Sequence, residues 1–410
     1  MVTLKLVVIF VLILFALRQK IPVGITLFGA GLLTALLYLV PVSEVLNGYW
    51  KLLSSERFIA LTAVICLITT MGSLLKELGF LQKMSRSCRG FYGGTRTATA
   101  VLPPLVGLMP MPGGALLSAP LVDEVLADPK YNPAFKCATN YWFRHVVEHF
   151  MPIYPGMILT EAVTGLPAGK VAVLQSPLAL VMITLGVIFF IRKIDKSEYQ
   201  QAGESKIFWR SLGGIVSALW PVILVLILYA VFEINMALAA LISVVLMVIV
   251  IRPSGHITWL SFKRGFSYKL VFLVFGILSF QTMLELSGAI ASVEKLSTAY
   301  HFPPSVIIIL VCFTAGILTG MYAAFVALGY SLLAGFLYQP VIIPANILLA
   351  FISGYVGMIL SPTHLCLIVT NEYFKSDLFK VLKMLVIPCL LVGIAGYLLY
   401  LSGWSNLIYP

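Results

Sequence analysis

From Met236 to Ile251 the chain reads MALAALISVVLMVIVI, an apolar run without a single charged side chain, and it is one of many. In hydrocarbon only a helix or a closed barrel pairs every backbone N–H and C=O, and a run apolar on all sides, without the alternation of a barrel strand, fits the helix. Stretches of this kind lie near 4–17, 21–40, 58–75, 137–164, 173–191, 211–232, 236–251, 270–286, 345–371 and 381–402. They approach the roughly 20 residues that a bilayer crossing takes. With 60% hydrophobic and 10% charged residues over 410 positions, a soluble globular class is excluded. The expected fold is an all-α polytopic membrane protein of about ten transmembrane helices in the cell (inner) membrane, with the lipid bilayer as its first partner. In the N-terminal LVVIFVLILFAL the basic residues Arg18 and Lys20 follow the apolar run, and no small-residue cleavage site is present. It reads as a first span and not as a removed signal. The six cysteines are scattered without a CxxC pair, which signals neither a disulfide framework nor a zinc knuckle.

Two further apolar stretches, 98–120 and 304–339, are rich in Gly, Pro and small residues. Placing the Arg18/Lys20 turn in the cytoplasm and alternating from there puts the basic segments 76–96, 192–210, 252–269 and 375–383 inside. Lys51, Arg57, Lys170 and Lys295 then lie outside and Lys5 in the first span, so the other 22 of the 27 Lys and Arg lie on the cytoplasmic side or just within it. This is the positive-inside bias. It accounts for the net charge of +11 without a nucleic-acid partner. A single crossing by either stretch would flip every later loop and destroy the bias, so both are expected to be re-entrant hairpins. Both termini then fall outside.

The same order of elements occurs twice. Residues 58–191 run span, hairpin, broken span, span, and 270–410 repeat that order with opposite orientation. At an offset of 209, Gly79 meets Gly288, Gly107 meets Gly316 and Pro110-Met111-Pro112 meets Thr319-Gly320-Met321. Inverted-topology repeats of this sort are characteristic of secondary transporters. Residues 1–57 and 192–269 have few polar residues inside their spans, and would form a scaffold or dimer surface against which the repeats move.

Irregular backbone survives at membrane depth only where protein buries it or a wet cavity borders it. Four such places form matched pairs: the hairpin tips at Pro110, Met111, Pro112, Gly113 and Gly114 and at Thr319, Gly320, Met321 and Tyr322, and the interrupted spans at Pro152, Tyr154, Pro155 and Gly156 and at Ser361, Pro362, Thr363 and His364. Free N–H groups at a half-helix start suit an anionic substrate, and free carbonyls at a half-helix end suit a cation. The alternative is that these residues are kinks of the kind membrane helices tolerate.

The stretches LMPMPGGALLSAPLVDE, NYWFRHVVEHFMPIYPG and SPTHLCLIVTNEYF resemble the signatures of a family of prokaryotic integral membrane proteins. That family is grouped with the ion transporter superfamily, beside carboxylate, gluconate and arsenite carriers and some sodium–proton antiporters. The resemblance implies an elevator-type carrier, often a homodimer, whose hairpin tips and broken spans enclose the site. Dicarboxylate carriers of that superfamily place Ser-Asn-Thr at the hairpin tips, where this chain has Met-Pro-Gly-Gly and Thr-Gly-Met-Tyr.

Charge inside the membrane marks function by default. In RHVVEH, the i, i+4 spacing puts Arg144 over Glu148 and His145 over His149 on adjacent faces. Arg144 and Glu148 could hold a carboxylate or relay protons, or could be a structural ion pair. His364, of the residue type whose unperturbed pKa lies near neutrality, could carry a proton, or could bond a neighbouring carbonyl. Glu285, a turn after Gln281, is the fourth coupling candidate, after Arg144, Glu148 and His149. HVVEH also spells the inverted zinc-protease motif, so a zinc hydrolase built on His145, Glu148 and His149 is an alternative of another class. No Walker loop is present, which argues against ATP-driven transport. The leading expectation is a secondary transporter of a small anionic solute coupled to H⁺ or Na⁺. It is not expected to be an enzyme and is expected to hold no metal or other cofactor. A cation–proton antiporter is the rival.

Overall fold

The computed structural model describes residues 2–89, 94–109, 114–195, 205–290 and 301–409. Among the described residues the chain is helical, with no strand. The first part holds α1 (Val2–Arg18), α2 (Val23–Leu37), α3 (Val42–Leu53), α4 (Glu56–Glu77), α5 (Phe80–Arg89), α6 (Thr95–Gly107) and α7 (Ala115–Val125). Then come α8 (Pro133–His145), α9 (Pro155–Thr164), α10 (Ala168–Phe189), α11 (Ser205–Ala230), α12 (Met236–Ile251) and α13 (Gly255–Gly265). The last part is α14 (Tyr268–Leu286), α15 (Pro304–Thr319), α16 (Pro344–Ile359), α17 (Leu365–Phe374) and α18 (Leu378–Leu401). Among the described residues, five stretches are long and apolar enough to cross a membrane: α4, α10 with the turn after it, α11 from Trp209, the α13–α14 pair, and α18.

Prolines mark where the shorter elements begin. Pro133, Pro155, Pro304 and Pro344 open α8, α9, α15 and α16, in the first turn where a missing N–H costs nothing. Side-chain caps at Ser55, Asn132, Asn235 and Asp377 satisfy other free N–H groups. Among the described residues, α3, α5 and α13 fall where the sequence pattern gave only loops. Each is too short for a crossing, and α3 leaves Leu46 and Trp50 exposed on one side.

Burial separates the helices into two kinds. Cys137 through His145 of α8 and Ile347 through Ile359 of α16 are buried on every side, so these two helices occupy the centre. Leu180 of α10, Ile249 of α12 and Leu398 of α18 are exposed, as a lipid-facing surface requires. Helices meet closely at glycine: a Cβ on Gly276 of α14 would lie 2.1 Å from the carbonyl oxygen of Gly24 in α2.

Polar contacts gather at two ends. At one, Arg57 donates to Ala162 O at 2.6 Å and to Gln281 Oε1 at 2.8 Å, while Gln339 donates to Glu285 at 3.1 Å. At the other, Arg264 pairs with Glu77 at 2.5 Å, Arg96 donates to Ile194 O at 2.6 Å, and Lys130 pairs with Asp195. Arg57 and Glu77 stand near opposite ends of the 22-residue α4, which holds the two sets about 30 Å apart.

Candidate functional site

The two central helices each stop in mid-molecule. α8 ends at His145, tightens into a 3-10 turn over Val146–His149, and the chain resumes as α9 at Pro155. α16 ends at Ile359 and resumes as α17 at Leu365. Their ends are bonded reciprocally. The Tyr141 hydroxyl of α8 donates to Ile359 O at 3.1 Å, and the Tyr355 hydroxyl of α16 donates to His145 O at 2.9 Å. Tyr141 and Tyr355 are separated along the chain by the same interval as His145 and Ile359, so each tyrosine caps the last carbonyl of the other helix in the same way.

The residue just before each second half-helix is tied to a carbonyl as well. Tyr154, the N-cap of α9, donates its hydroxyl to Gly107 O at the end of α6. His364, the N-cap of α17, holds Nδ1 2.6 Å from Gly320 O at the end of α15. Free carbonyls at helix ends are thereby satisfied inside the protein. Conversion of Tyr141 or Tyr355 to Phe leaves one buried carbonyl without its donor. Each change is expected to lower stability by about 1–3 kcal/mol, and the two by similar amounts, as read from unfolding of the detergent-solubilised protein.

Charge is concentrated at this junction. Arg144 Nη1 lies 3.0 Å from Glu148 Oε1, and both side chains are buried. His145 Nε2 is 3.8 Å from the same oxygen and 3.0 Å from His364 Nε2. The Cys366 thiol, in the first turn of α17, joins His145 and His364, with the three ligand atoms within 4.8 Å of one another. A cavity of about 530 Å³ reaches the junction. Lys76 and Arg264 line it at one end of the bundle, and Arg144, Glu148, Tyr154, Pro155 and Cys366 line its inner part.

The other expected residues fall around this point or away from it. Pro110, Met111, Pro112 and Gly113 lie outside the described residues; Gly114, at the start of α7, is buried. Gly320 has φ +60°, and a Cβ there would press on the His364 backbone at 2.8 Å. Thr319 bonds back to Ala315 O, and Met321 is exposed. The Tyr322 ring packs so closely on Gly156 that a Cβ would fall 2.0 Å from it. Ser361 donates to Ile317 O at 2.6 Å and bonds Thr363 at 2.9 Å; Pro362 and Thr363 are exposed. Pro152 is buried against a separate apolar cavity.

Two of the expected coupling residues stand apart. His149 does not sit over His145, because the helix narrows to a 3-10 turn between them. Its Nε2 instead lies 2.9 Å from Met182 Sδ, with its ring against Tyr355, so His145, Glu148 and His149 do not converge as a zinc hydrolase would need. Glu285 is exposed at the far end, bonded to Gln281 and Gln339, in a second cavity of about 610 Å³ with Arg57. Tyr141, Tyr355 and Cys366 were not singled out from sequence. Cys366, two residues after His364, was the one with a visible signal.

Residues 2–402 match the family described as "Protein of unknown function (DUF401)", and the chain belongs to that family. No curated protein matches it.

Proposed function

We propose that this DUF401 protein is a secondary carrier that moves a small anionic solute, of carboxylate type, across the membrane in exchange for work done by an H⁺ or Na⁺ gradient. One observation carries the reading: a cavity from the Lys76/Arg264 end of the bundle runs to a buried arginine where two discontinuous helices meet. Buried Arg144 gives a carboxylate a planar, permanently charged partner. The basic rim draws anions toward it. The second cavity, at the Arg57 end, shares Ile158 of α9 as a wall with the first. Two vestibules divided by one thin element are what alternating access needs.

The inverted-repeat reading draws support from the reciprocal tyrosine bonds, since an isologous contact is what a two-fold relation between segments produces. The hairpin reading for 98–120 draws support from its flanks. Arg96 before it bonds Arg192 O and Ile194 O, and Lys130 and Tyr131 after it bond Asp195, so both flanks meet the same short segment. For 304–339, Tyr338 and Gln339 return to Gln281 and Glu285, beside the end of α14. With the basic set of contacts cytoplasmic, the hairpins enter from opposite sides and both termini lie outside. The spans α1, α2, α11 and α12 then form the static scaffold, and a homodimer would pair through it.

Purified protein in proteoliposomes tests this. Carboxylate uptake driven by an imposed pH or Na⁺ gradient is expected, falling to background in Arg144→Leu. A ligand of the folded state also raises apparent stability, so thermal shifts should single out carboxylates over sugars and amines. Na⁺-driven proton release without any organic solute would replace the carrier reading by the antiporter one.

A further inference from the structure

We infer that His145, His364 and Cys366, joined by Glu148, form a binding site for a divalent metal ion of the Zn²⁺ class at the junction of the two discontinuous helices. The argument begins with hydrogen accounting. His145 Nδ1 lies 2.6 Å from Tyr141 O, and His364 Nδ1 lies 2.6 Å from Gly320 O. A carbonyl only accepts, so both Nδ1 atoms carry their hydrogens. In the neutral rings each Nε2 is then a bare lone pair, and these two atoms face one another at 3.0 Å. Two lone pairs do not rest against each other without a positive centre between them, either a proton or a metal ion.

Three further features select the metal. The first is the third donor, since the Cys366 thiol comes within 4.8 Å of both imidazole nitrogens. The second is Glu148, whose Oε1 lies 3.8 Å from His145 Nε2 and whose buried Oε2 has no hydrogen-bond partner. The third is the pair of Nδ1–H···O=C bonds, which fixes each tautomer and aims Nε2 at one point, as behind the histidines of metal sites.

The donor set is thiolate, two imidazoles and a carboxylate, which suits Zn²⁺ and not Na⁺ or Mg²⁺. Ligands about 2.0–2.3 Å from a tetrahedral ion stand roughly 3.3–3.8 Å from one another. The two imidazoles need to part by a few tenths of an ångström and the Cys366 thiol to close by up to about 1 Å, while Glu148, outside the three-residue cluster, must swing inward from His145 to become the fourth ligand. Thiolate and carboxylate together offset the charge of the ion. Cys366 and Glu148 also line the cavity, which gives the ion a way in. The site follows from the ligand geometry alone and holds whether or not the chain carries a solute. No spacing in the sequence could show it, because His145 and His364 are 219 residues apart.

Metal analysis of the full chain purified in detergent, followed by titration with Zn²⁺ and Co²⁺, tests the site. About one Zn²⁺ per chain is expected, and the Co²⁺ form should show a thiolate-to-cobalt charge-transfer band. Cys366→Ser should abolish that band while leaving the folded protein intact. His364→Ala should weaken binding by roughly 100-fold or more, since loss of a ligand's supporting partner alone costs 10–100-fold. Zn²⁺ and Co²⁺ failing to bind folded wild-type protein would overturn the site and leave a shared proton between the imidazoles. Binding untouched by both substitutions would overturn it equally, by placing the metal elsewhere.

Discussion

Arg144→Leu is expected to destabilise the protein by about 3–5 kcal/mol, and Glu148→Leu by a similar amount, while the double variant loses far less than either. The reason is the environment. Arg144 is 2% exposed and Glu148 6%, so removing one partner strands the other charge, largely desolvated, at the inner end of the cavity. Removing both leaves an apolar lining beside Ile158, for which the desolvation penalty disappears. A double-mutant cycle on unfolding in detergent measures the coupling, and a value near zero would show that the pair is not the unit described here. Transport separates the roles. If Arg144 binds the solute, the double variant regains stability without regaining uptake. A double variant that is both stable and fully active would reduce the pair to a structural one and end the anion-site proposal.

The parts of this molecule legible from sequence are those governed by one-dimensional rules. Met236–Ile251 appears as a helix with the same limits that its apolar run gave, because lipid-facing burial needs only local composition. The breaks near Pro152 and Pro362 were visible because proline and its neighbours interrupt a helix wherever they stand. The Arg144–Glu148 pair followed from i, i+4 spacing, and survived the tightening of the helix after His145. His149 did not follow that spacing, since one 3-10 turn rotates its side chain off the α-helical face toward Met182. Helix α3 was missed because Val42, Leu46 and Trp50 alternate with polar residues over a stretch too short for a span. The reciprocal tyrosines and the His145–His364–Cys366 cluster were out of reach for a different reason. They join residues more than 200 positions apart, and a tyrosine inside an apolar helix carries no mark of which carbonyl it will cap.

Gly107→Ala and Gly316→Ala, in α6 and α15, should each cost about 1–3 kcal/mol, the usual range of overpacking penalties. A Cβ on Gly107 would lie 2.7 Å from Arg144 O, and one on Gly316 would lie 2.1 Å from Gly354 O. In both cases the obstacle is the backbone of a central helix, α8 or α16, which has no rotamer to change. Helix α6 or α15 must therefore back away from the discontinuous helix it packs on. Gly107 O also accepts the Tyr154 hydroxyl, and Gly316 sits one turn before Gly320, the carbonyl that holds His364. Displacement at either glycine thus reaches the residue that starts the second half-helix, and with it the charged junction. The control is Gly213→Ala in α11, where nothing lies within 4 Å of the added methyl and helix propensity favours alanine by up to about 1 kcal/mol. Thermal unfolding of the three variants should show two matched decreases and one unchanged or raised midpoint. If Gly107→Ala behaves like Gly213→Ala, the close approach of α6 to α8 is wrong, and with it the route by which α6 could act on Arg144.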